Sequence, residues 1–154
     1  MIMVLNEVLT KQNVITKLAL QDGDKEVPKA LKVKIMRIRM AYNKIKQRFD
    51  SDTQEFTKEI VTEELQTLSN KLDRTEEENA RLEELTNKVN SEYQEFLIQK
   101  GSEEITDTIE DSFTLDEYSD ILDVNSRNEV EINGNKIPAV DFMEIVYSLF
   151  VKED

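Results

Sequence analysis

The feature that most constrains this fold is a run of 72 residues, between Pro28 and Gly101, that contains neither glycine nor proline. Glycine and proline are the residues that most strongly disfavour helix interiors. Their absence over nearly half of a 154-residue chain predicts long helices. The fold class that we expect is mainly α, with a helical hairpin or coiled-coil arm and a small α+β head formed by the two termini.

The length of the chain suits one domain. We expect a single domain over 1–154, in which 28–100 form the hairpin or arm. Residues 1–27 and 113–154 would form the head, and the very acidic segment 101–112 would be a solvated linker. No apolar stretch approaches the roughly 20 residues that a transmembrane helix needs, so no membrane association is expected.

Apolar residues over 28–49 recur at spacings of four and three, which is typical of one continuous helix face. The residues on this face are Leu31, Ile35, Ile38, Tyr42, Ile45 and Phe49. Val33, Met36 and Met40 fall on the opposite side of the same helix, at about 100° per residue. Two apolar stripes predict a helix that packs on both sides. Either both stripes serve the protein's own core, or one contacts another subunit or protein.

Ser51 with Gln54, or Asp52 with Glu55, has the pattern of a capping box, which predicts that a second helix begins at Asp50-Ser51-Asp52. So short a link would fold this helix back antiparallel to the first, unless the two run on as one. A further apolar seam then follows a four-three spacing, as in coiled coils. Its residues are Val61, Leu65, Leu68, Leu72, Thr75, Asn79, Leu82, Thr86, Val89, Tyr93 and Phe96. Six of them are the candidate protein interface: Val61, Leu65, Leu68, Leu72, Leu82 and Val89.

Thr75 and Asn79 are a polar patch in this seam, and this patch leaves two possibilities open. Thr75 to Glu78 has the pattern of another capping box, which would break the helix near Asp73 and reverse the chain into a hairpin. Without that break, 52–99 would form one long helix.

Shorter elements are predicted toward the N-terminus. Met1–Leu5 are apolar and tolerate a β-strand, and Asn6 is a suitable N-cap for a helix over roughly 7–20. Asp22-Gly23-Asp24 then predicts a turn.

Toward the C-terminus, Thr114 to Glu117 has the pattern of a capping box before a short helix. Residues 129–137 alternate glutamate and apolar residues around Asn133-Gly134, which is typical of a two-stranded hairpin. Asp141 would cap an apolar terminal helix. Together with Met1–Leu5, the hairpin would make a three-stranded patch against that helix.

The charge is distributed unevenly along the chain. Residues 1–49 hold 11 Lys/Arg and 4 Asp/Glu, whereas 50–154 hold 9 and 29. The candidate basic face of the helix over 28–49 consists of Lys32, Arg37, Arg39, Lys44 and Lys46. Either this helix lies against the protein's own acidic helices, or it binds an acidic partner or a nucleic acid. A net charge of −13 opposes approach to a polyanion, so a nucleic-acid partner is not expected.

The chain has no histidine and no cysteine, the side chains most often used as catalytic bases, nucleophiles and transition-metal ligands. One enzymatic pattern is present: Glu92-Tyr-Gln-Glu95, followed by Glu117-Tyr-Ser-Asp120. This pair resembles the E-x-x-E and E-x-x-D motifs of helical nucleoside-triphosphate pyrophosphohydrolases of the MazG type. The resemblance implies that Glu92, Glu95, Glu117 and Asp120 would hold Mg²⁺. Because such pairs arise freely among 33 acidic residues, we predict no enzyme, no catalytic residues, no metal and no cofactor.

The whole chain resembles small acidic, uncharacterised helical proteins encoded by bacteriophages. The residues that carry this resemblance are MIMVLNEVL, VPKALKVKIMRIRMAYNKIKQRF and EVEINGNKIPAVDF. The resemblance implies a viral protein located in the cytoplasm of a bacterial host or in the virion.

The function that we expect is therefore a non-enzymatic protein–protein interaction module of phage type, a virion structural or assembly component with protein partners or self-association. The alternative is an acidic, host-directed inhibitor that mimics nucleic acid. The third possibility is the MazG-like pyrophosphohydrolase. Association through an apolar seam should persist at high salt, whereas acidic mimicry should weaken steeply.

Overall fold

Six helices account for most of the described chain in a computed structural model that describes residues 3–127 and 129–152. The helices are α1 (Leu5–Thr16), α2 (Lys29–Ile60), α3 (Glu63–Asn70), α4 (Glu76–Gly101), α5 (Leu115–Val124) and α6 (Ala139–Phe150). The strands are β1 (Met3–Val4), β2 (Gln21–Asp22), β3 (Lys25–Glu26), β4 (Glu104–Ile105), β5 (Val130–Ile132) and β6 (Asn135–Ile137). The mainly α fold, with small strand-containing termini, is confirmed.

The chain divides into two compact units. The first unit joins the two termini, residues 1–46 and 105–154, and the second unit is 47–104. The sequence placed the corresponding boundaries at 27 and 113, so the first unit takes in more of the chain than the predicted head. Among the described residues, no helix combines the length and the hydropathy that a bilayer crossing requires.

The core of the first unit is built around the N-terminal part of α2. All five seam residues that precede the unit boundary are buried: Leu31, Ile35, Ile38, Tyr42 and Ile45. Most of the other large buried side chains come from α1, α5, α6 and the segment before α5, and Leu18 and Val27 come from between α1 and α2. They include Val8, Ile15, Phe113, Ile121, Phe142, Val146 and Phe150. The predicted seam is therefore the central core stripe of this unit.

Helix α2 continues through 50–52. Asp50, Ser51 and Asp52 lie inside it and the helix ends at Ile60, so the predicted capping boxes at this place are wrong and the alternative of one continuous helix is observed. Thr53 donates its hydroxyl to the carbonyl of Phe49 at 2.8 Å, a hydrogen bond within the helix. Asp and Ser disfavour a helix interior only slightly, so the packing of Phe49 and Phe56 on either side outweighs them.

The second unit is an antiparallel helical hairpin. Phe56 of α2 stacks on Phe96 of α4 with ring centroids 4.2 Å apart, and Asp52 pairs with Lys100 at 3.0 Å. The chain reverses between α3 and α4, where Thr75 and Glu78 form both hydrogen bonds of a capping box. Of the two possibilities that the sequence left open, the hairpin is observed.

The strands form three separate two-stranded sheets rather than one three-stranded patch. β5 and β6 form the predicted hairpin, in which Asn133 and Gly134 both have positive φ. β2 pairs with β3 around Gly23, as the turn signal there indicated. β1, however, pairs with β4 and not with that hairpin, and Met1 and Ile2 of the predicted strand lie outside the described residues.

The ends of the shorter helices are partly as predicted. Thr114 and Glu117 form the predicted capping box of α5. α1 starts at Leu5 and stops at Thr16, so Asn6 is not its cap and Ala19 is not in the helix. α6 starts at Ala139, which places Asp141 in the first turn rather than at the cap.

The segment predicted as a solvated linker contains a buried aspartate. The Asp111 carboxylate is 2.7 Å from the Lys11 ammonium and accepts a hydrogen bond from the Tyr42 hydroxyl. Burial, followed by the hydrogen bond and charge of Asp111, raises the pKa of Tyr42. The ion pair with Lys11 and the hydrogen bond from Tyr42 compensate the buried carboxylate, which explains how an acidic segment can pack against the core.

We expect Ile38→Asp to destabilise the protein by about 3 kcal/mol or more, because it places an unpaired carboxylate in the core of the first unit. Met40→Asp is the matched control, since Met40 lies two residues away on the same helix but is 69% exposed. Denaturant unfolding measures both variants. Equal stabilities would show that the seam of α2 is not a core stripe.

Candidate functional site

An exposed face of α2 in the first unit combines methionines with cations. Val33, Met36 and Met40 form the second apolar stripe of the helix, and they are 39%, 52% and 69% exposed. Lys29, Arg37 and Lys44 lie on the same side of the helix and are exposed. We call these six residues the basic–methionine face. Its apolar stripe is not part of the protein's own core.

The predicted basic residues do not all lie on this face. Lys32 forms an ion pair with Glu26. Arg39 donates to the carbonyls of Ile15 and Leu18, at 3.0 and 2.6 Å, and so caps the end of α1. Burial lowers the pKa of Arg39. These two cations therefore have structural partners within the first unit.

The other three predicted basic residues differ among themselves. Lys46 is half-buried and has an interaction within the protein. Arg37 and Lys44 are exposed and form no hydrogen bond or ion pair with the part of the chain that the structure describes. Local neutralisation by the protein's own acids thus applies to Lys32 but not to Arg37 or Lys44.

The apolar seam of the hairpin is the second candidate surface. Five of the six predicted interface residues are half-buried: Val61, Leu65, Leu68, Leu82 and Val89. The sixth, Leu72, lies in the turn between α3 and α4 and is 97% exposed. Within 47–104, all of which the structure describes, Leu85 is the one apolar side chain that is buried, and it is still 8% exposed. The hairpin therefore covers its own seam only in part.

The seam borders a cleft of about 250 Å³. Its apolar lining comes from Ile60, Leu65, Leu85 and Val89. Glu59 and Glu92 also line it, together with Thr62 and Lys88. We call this the glutamate-edged cleft. An apolar lining with carboxylates beside it suits a side chain that is apolar and has a cation near it.

A second, more open cleft of about 540 Å³ lies between α3 and α4. It is lined by Glu63, Glu64, Thr67, Leu68, Glu77, Glu78 and Arg81. Arg81 pairs with Glu64 at 2.7 Å, and this hydrogen bond holds the pKa of Glu64 below its ordinary value. The hydrogen bond from Lys71 similarly lowers the pKa of Glu78. Two of the four glutamates here, Glu64 and Glu78, are fixed by the hairpin's own cations and by the cap of α4, whereas Glu63 and Glu77 are exposed.

The four carboxylates of the pyrophosphohydrolase pattern are divided between the two units. Glu92 and Glu95 lie in α4, whereas Glu117 and Asp120 lie in α5. Glu117 pairs with Lys34 at 2.8 Å and accepts from the backbone of Thr114 in its capping box. Burial would raise the pKa of Glu117, but these two hydrogen bonds outweigh it and lower the pKa.

No group of three or more acidic side chains among the residues in 3–127 and 129–152 is arranged to hold a metal ion. The i,i+3 carboxylate pattern is therefore explained in part by local structure, since Glu117 has a capping role in α5. The absence of catalytic activity stays a prediction.

The sequence identified most of the seam but missed Leu85. The four-three spacing from Asn79 passes through Leu82 and Thr86, yet Leu85 is buried and Thr86 is exposed. The spacing Leu82, Leu85, Val89 follows the inner face of α4, whereas the predicted spacing placed Thr86 between Leu82 and Val89. The predicted seam is therefore wrong at Thr86, and Leu82, Val89 and Phe96 are half-buried.

Comparison of the chain with protein-family models found no matching family, and comparisons with curated proteins and with solved structures found no similar protein.

Proposed function

We propose that this protein is a non-enzymatic interaction module that associates through the seam of its helical hairpin. The observation that supports this most directly is the burial of that unit. Across its 58 residues, Leu85 is the one buried apolar side chain, while eight further large apolar residues are half-buried. These are Phe56, Ile60, Val61, Leu65, Leu68, Leu82, Val89 and Phe96.

One arm of the hairpin is the end of α2 followed by α3, and the other arm is α4, so the unit is two helical layers thick. A pair of antiparallel helices shields only the line of contact between them, so side chains at the edges of the seam stay in contact with water. A third or fourth helix is normally needed to complete such a core. Because apolar burial contributes about 25 cal/mol per Å², completing this seam with another protein surface is favourable.

The resemblance to phage-encoded proteins supports the more specific proposal of a virion structural or assembly component. A module that repeats one contact between identical copies is suited to building a particle. Its location would then be the virion or the cytoplasm of an infected bacterial host. Detection in purified particles, compared with infected cells, distinguishes a structural component from a factor that acts only during assembly.

We expect the protein to self-associate as its concentration rises. The double variant Leu65→Ser, Leu82→Ser should weaken that association at least tenfold, because it removes apolar contacts that contribute about 1 to 2 kcal/mol to the free energy of association. Leu115→Ser is the control, because Leu115 is an exposed leucine of the first unit. Light scattering over a concentration series gives the result. A wild-type protein that stays monomeric throughout would rule out self-association.

A second candidate is the host-directed inhibitor that mimics nucleic acid. The observation in its favour is the open cleft between α3 and α4, where Glu63 and Glu77 are exposed beside the paired Glu64 and Glu78. Spaced carboxylates of this kind could occupy a nucleic-acid-binding surface of a basic protein. For this candidate, Glu63→Gln with Glu77→Gln should weaken binding to a DNA-binding protein of the host, measured by competition with duplex DNA. The seam variant should leave such binding unchanged.

The proposed interaction module has no catalytic activity. We expect no pyrophosphate release from a panel of nucleoside triphosphates in the presence of Mg²⁺ or Mn²⁺, since the chain has neither histidine nor cysteine and Glu117 is held by Lys34 and Thr114. The assay is made with wild-type protein and with Glu95→Gln. Turnover by the wild type that disappears in this variant would establish the pyrophosphohydrolase instead.

A further inference from the structure

We propose that the basic–methionine face of one copy docks into the glutamate-edged cleft of a second copy, so that the protein assembles head to tail. This inference rests on the proposed self-association and names the two surfaces that meet in it. One surface belongs to the first unit and the other to the second, so a single copy presents both.

The apolar stripe of the face has the spacing of a helix–helix contact. Val33, Met36 and Met40 are separated by three and four residues, which is the a–d–a spacing of a coiled-coil seam. Residues at this spacing insert as knobs between the side chains of a facing helix pair. Methionine suits such a contact because its flexible thioether adapts to irregular cavities.

The cations of the face are placed to pair with carboxylates beside that contact. Arg37 follows Met36 directly and precedes Met40 by three residues, and Lys44 follows Met40 by four. Residues three and four apart are neighbours on a helix surface. Neither cation has a hydrogen bond or ion pair with the part of the chain that the structure describes. Their charges are available to a partner.

The glutamate-edged cleft has the complementary chemistry. Its volume of about 250 Å³ and its lining of Ile60, Leu65, Leu85 and Val89 suit the insertion of one or two methionine side chains. Glu59 and Glu92 lie beside this lining, within reach of the cations that flank an inserted methionine. Lys88 also lines the cleft and would have to turn toward solvent.

The charges of the hairpin and of the basic helix favour the same pairing, although the first unit as a whole carries a net charge of −4. Residues 47–104 carry 7 Lys/Arg and 16 Asp/Glu, a net charge of −9, whereas 28–46, the part of the basic helix in the first unit, carry seven basic residues and no acidic one. Attraction between the basic helix of one copy and the acidic hairpin of another would raise the association rate at low salt. The same contact predicts weaker association as salt increases.

The contact is heterologous, because the two surfaces differ. A heterologous contact leaves one free face and one free cleft on every dimer, so further copies add until a ring closes or a filament grows. A symmetric contact between two hairpin seams would instead stop at the dimer. The mass reached at high concentration therefore separates the two arrangements.

Two charge-reversed variants test the inference. The face variant is Arg37→Glu with Lys44→Glu, and the cleft variant is Glu59→Lys with Glu92→Lys. The control is Lys17→Glu with Lys136→Glu, which changes the net charge by the same amount as the face variant. Both lysines are exposed and lie outside the face, Lys17 directly after α1 and Lys136 in β6. Circular dichroism and thermal melting confirm folding. Should the cleft variant melt early, Glu59→Lys alone replaces it, since Glu59 is exposed.

Sedimentation velocity over a concentration series is the measurement. We expect the wild type and the control to form species larger than dimers, and each charge-reversed variant alone to associate at least about tenfold more weakly. Mixing the face variant with the cleft variant should restore association, because each then meets a surface of opposite charge. Restoration on mixing is specific to a heterologous contact.

The outcomes that contradict the inference are distinct from those that contradict the proposed function. A face variant that associates as well as the wild type, or a mixture that stays dissociated, overturns the head-to-tail contact and leaves the seam as the interface. A wild type that is monomeric throughout overturns both. Loss of binding to anionic vesicles or to duplex DNA in the face variant, with self-association intact, would assign the face to that ligand instead.

Discussion

The buried stripe of α2 is the constraint on which the first unit depends. Leu31, Ile35, Ile38, Tyr42 and Ile45 supply the centre of a core whose other members come from sequence positions on both sides of the hairpin. The same helix also contacts its surroundings through polar groups, from the buried stripe itself and from the residues beside it. Arg39 caps α1, Lys34 pairs with Glu117 of α5, and Tyr42 donates to Asp111. One helix therefore organises both halves of a core that is discontinuous in sequence.

Once that stripe is buried, the rest of the α2 surface is determined by helix geometry. Residues on the opposite side of the helix cannot reach the same core. Val33, Met36 and Met40 therefore remain exposed, and so do the cations beside them. An exposed apolar stripe on an otherwise charged protein is a common property of binding surfaces. The proposed contact follows from this division of one helix between core and surface.

The hairpin, in contrast to the first unit, buries few side chains. Its helices are acidic and contact each other along a narrow line, marked by the Phe56–Phe96 stack and the Asp52–Lys100 pair. Its stability as a unit must come from few buried side chains, from capping at Thr62 and Thr75, and from ion pairs such as Arg81–Glu64. Exposed ion pairs contribute little, so an interface that completes the seam would add substantially to the stability of this unit.

The sequence by itself determined the features that depend on neighbours within one or two helical turns. These include the two apolar stripes of α2, the capping boxes at Thr75 and Thr114, and the hairpin turn at Asn133-Gly134. The tertiary structure alone decided the features that depend on distant partners. α2 passes through Asp50-Ser51-Asp52 because the packing of the hairpin outweighs weak local signals.

Asp111 is buried because Lys11 and Tyr42, which are 100 and 69 residues away, supply its partners. The choice between core and surface for each stripe of α2 was also settled only by tertiary contacts. Periodicity shows that two faces are apolar but cannot show which one another element covers, because that depends on residues from both ends of the chain.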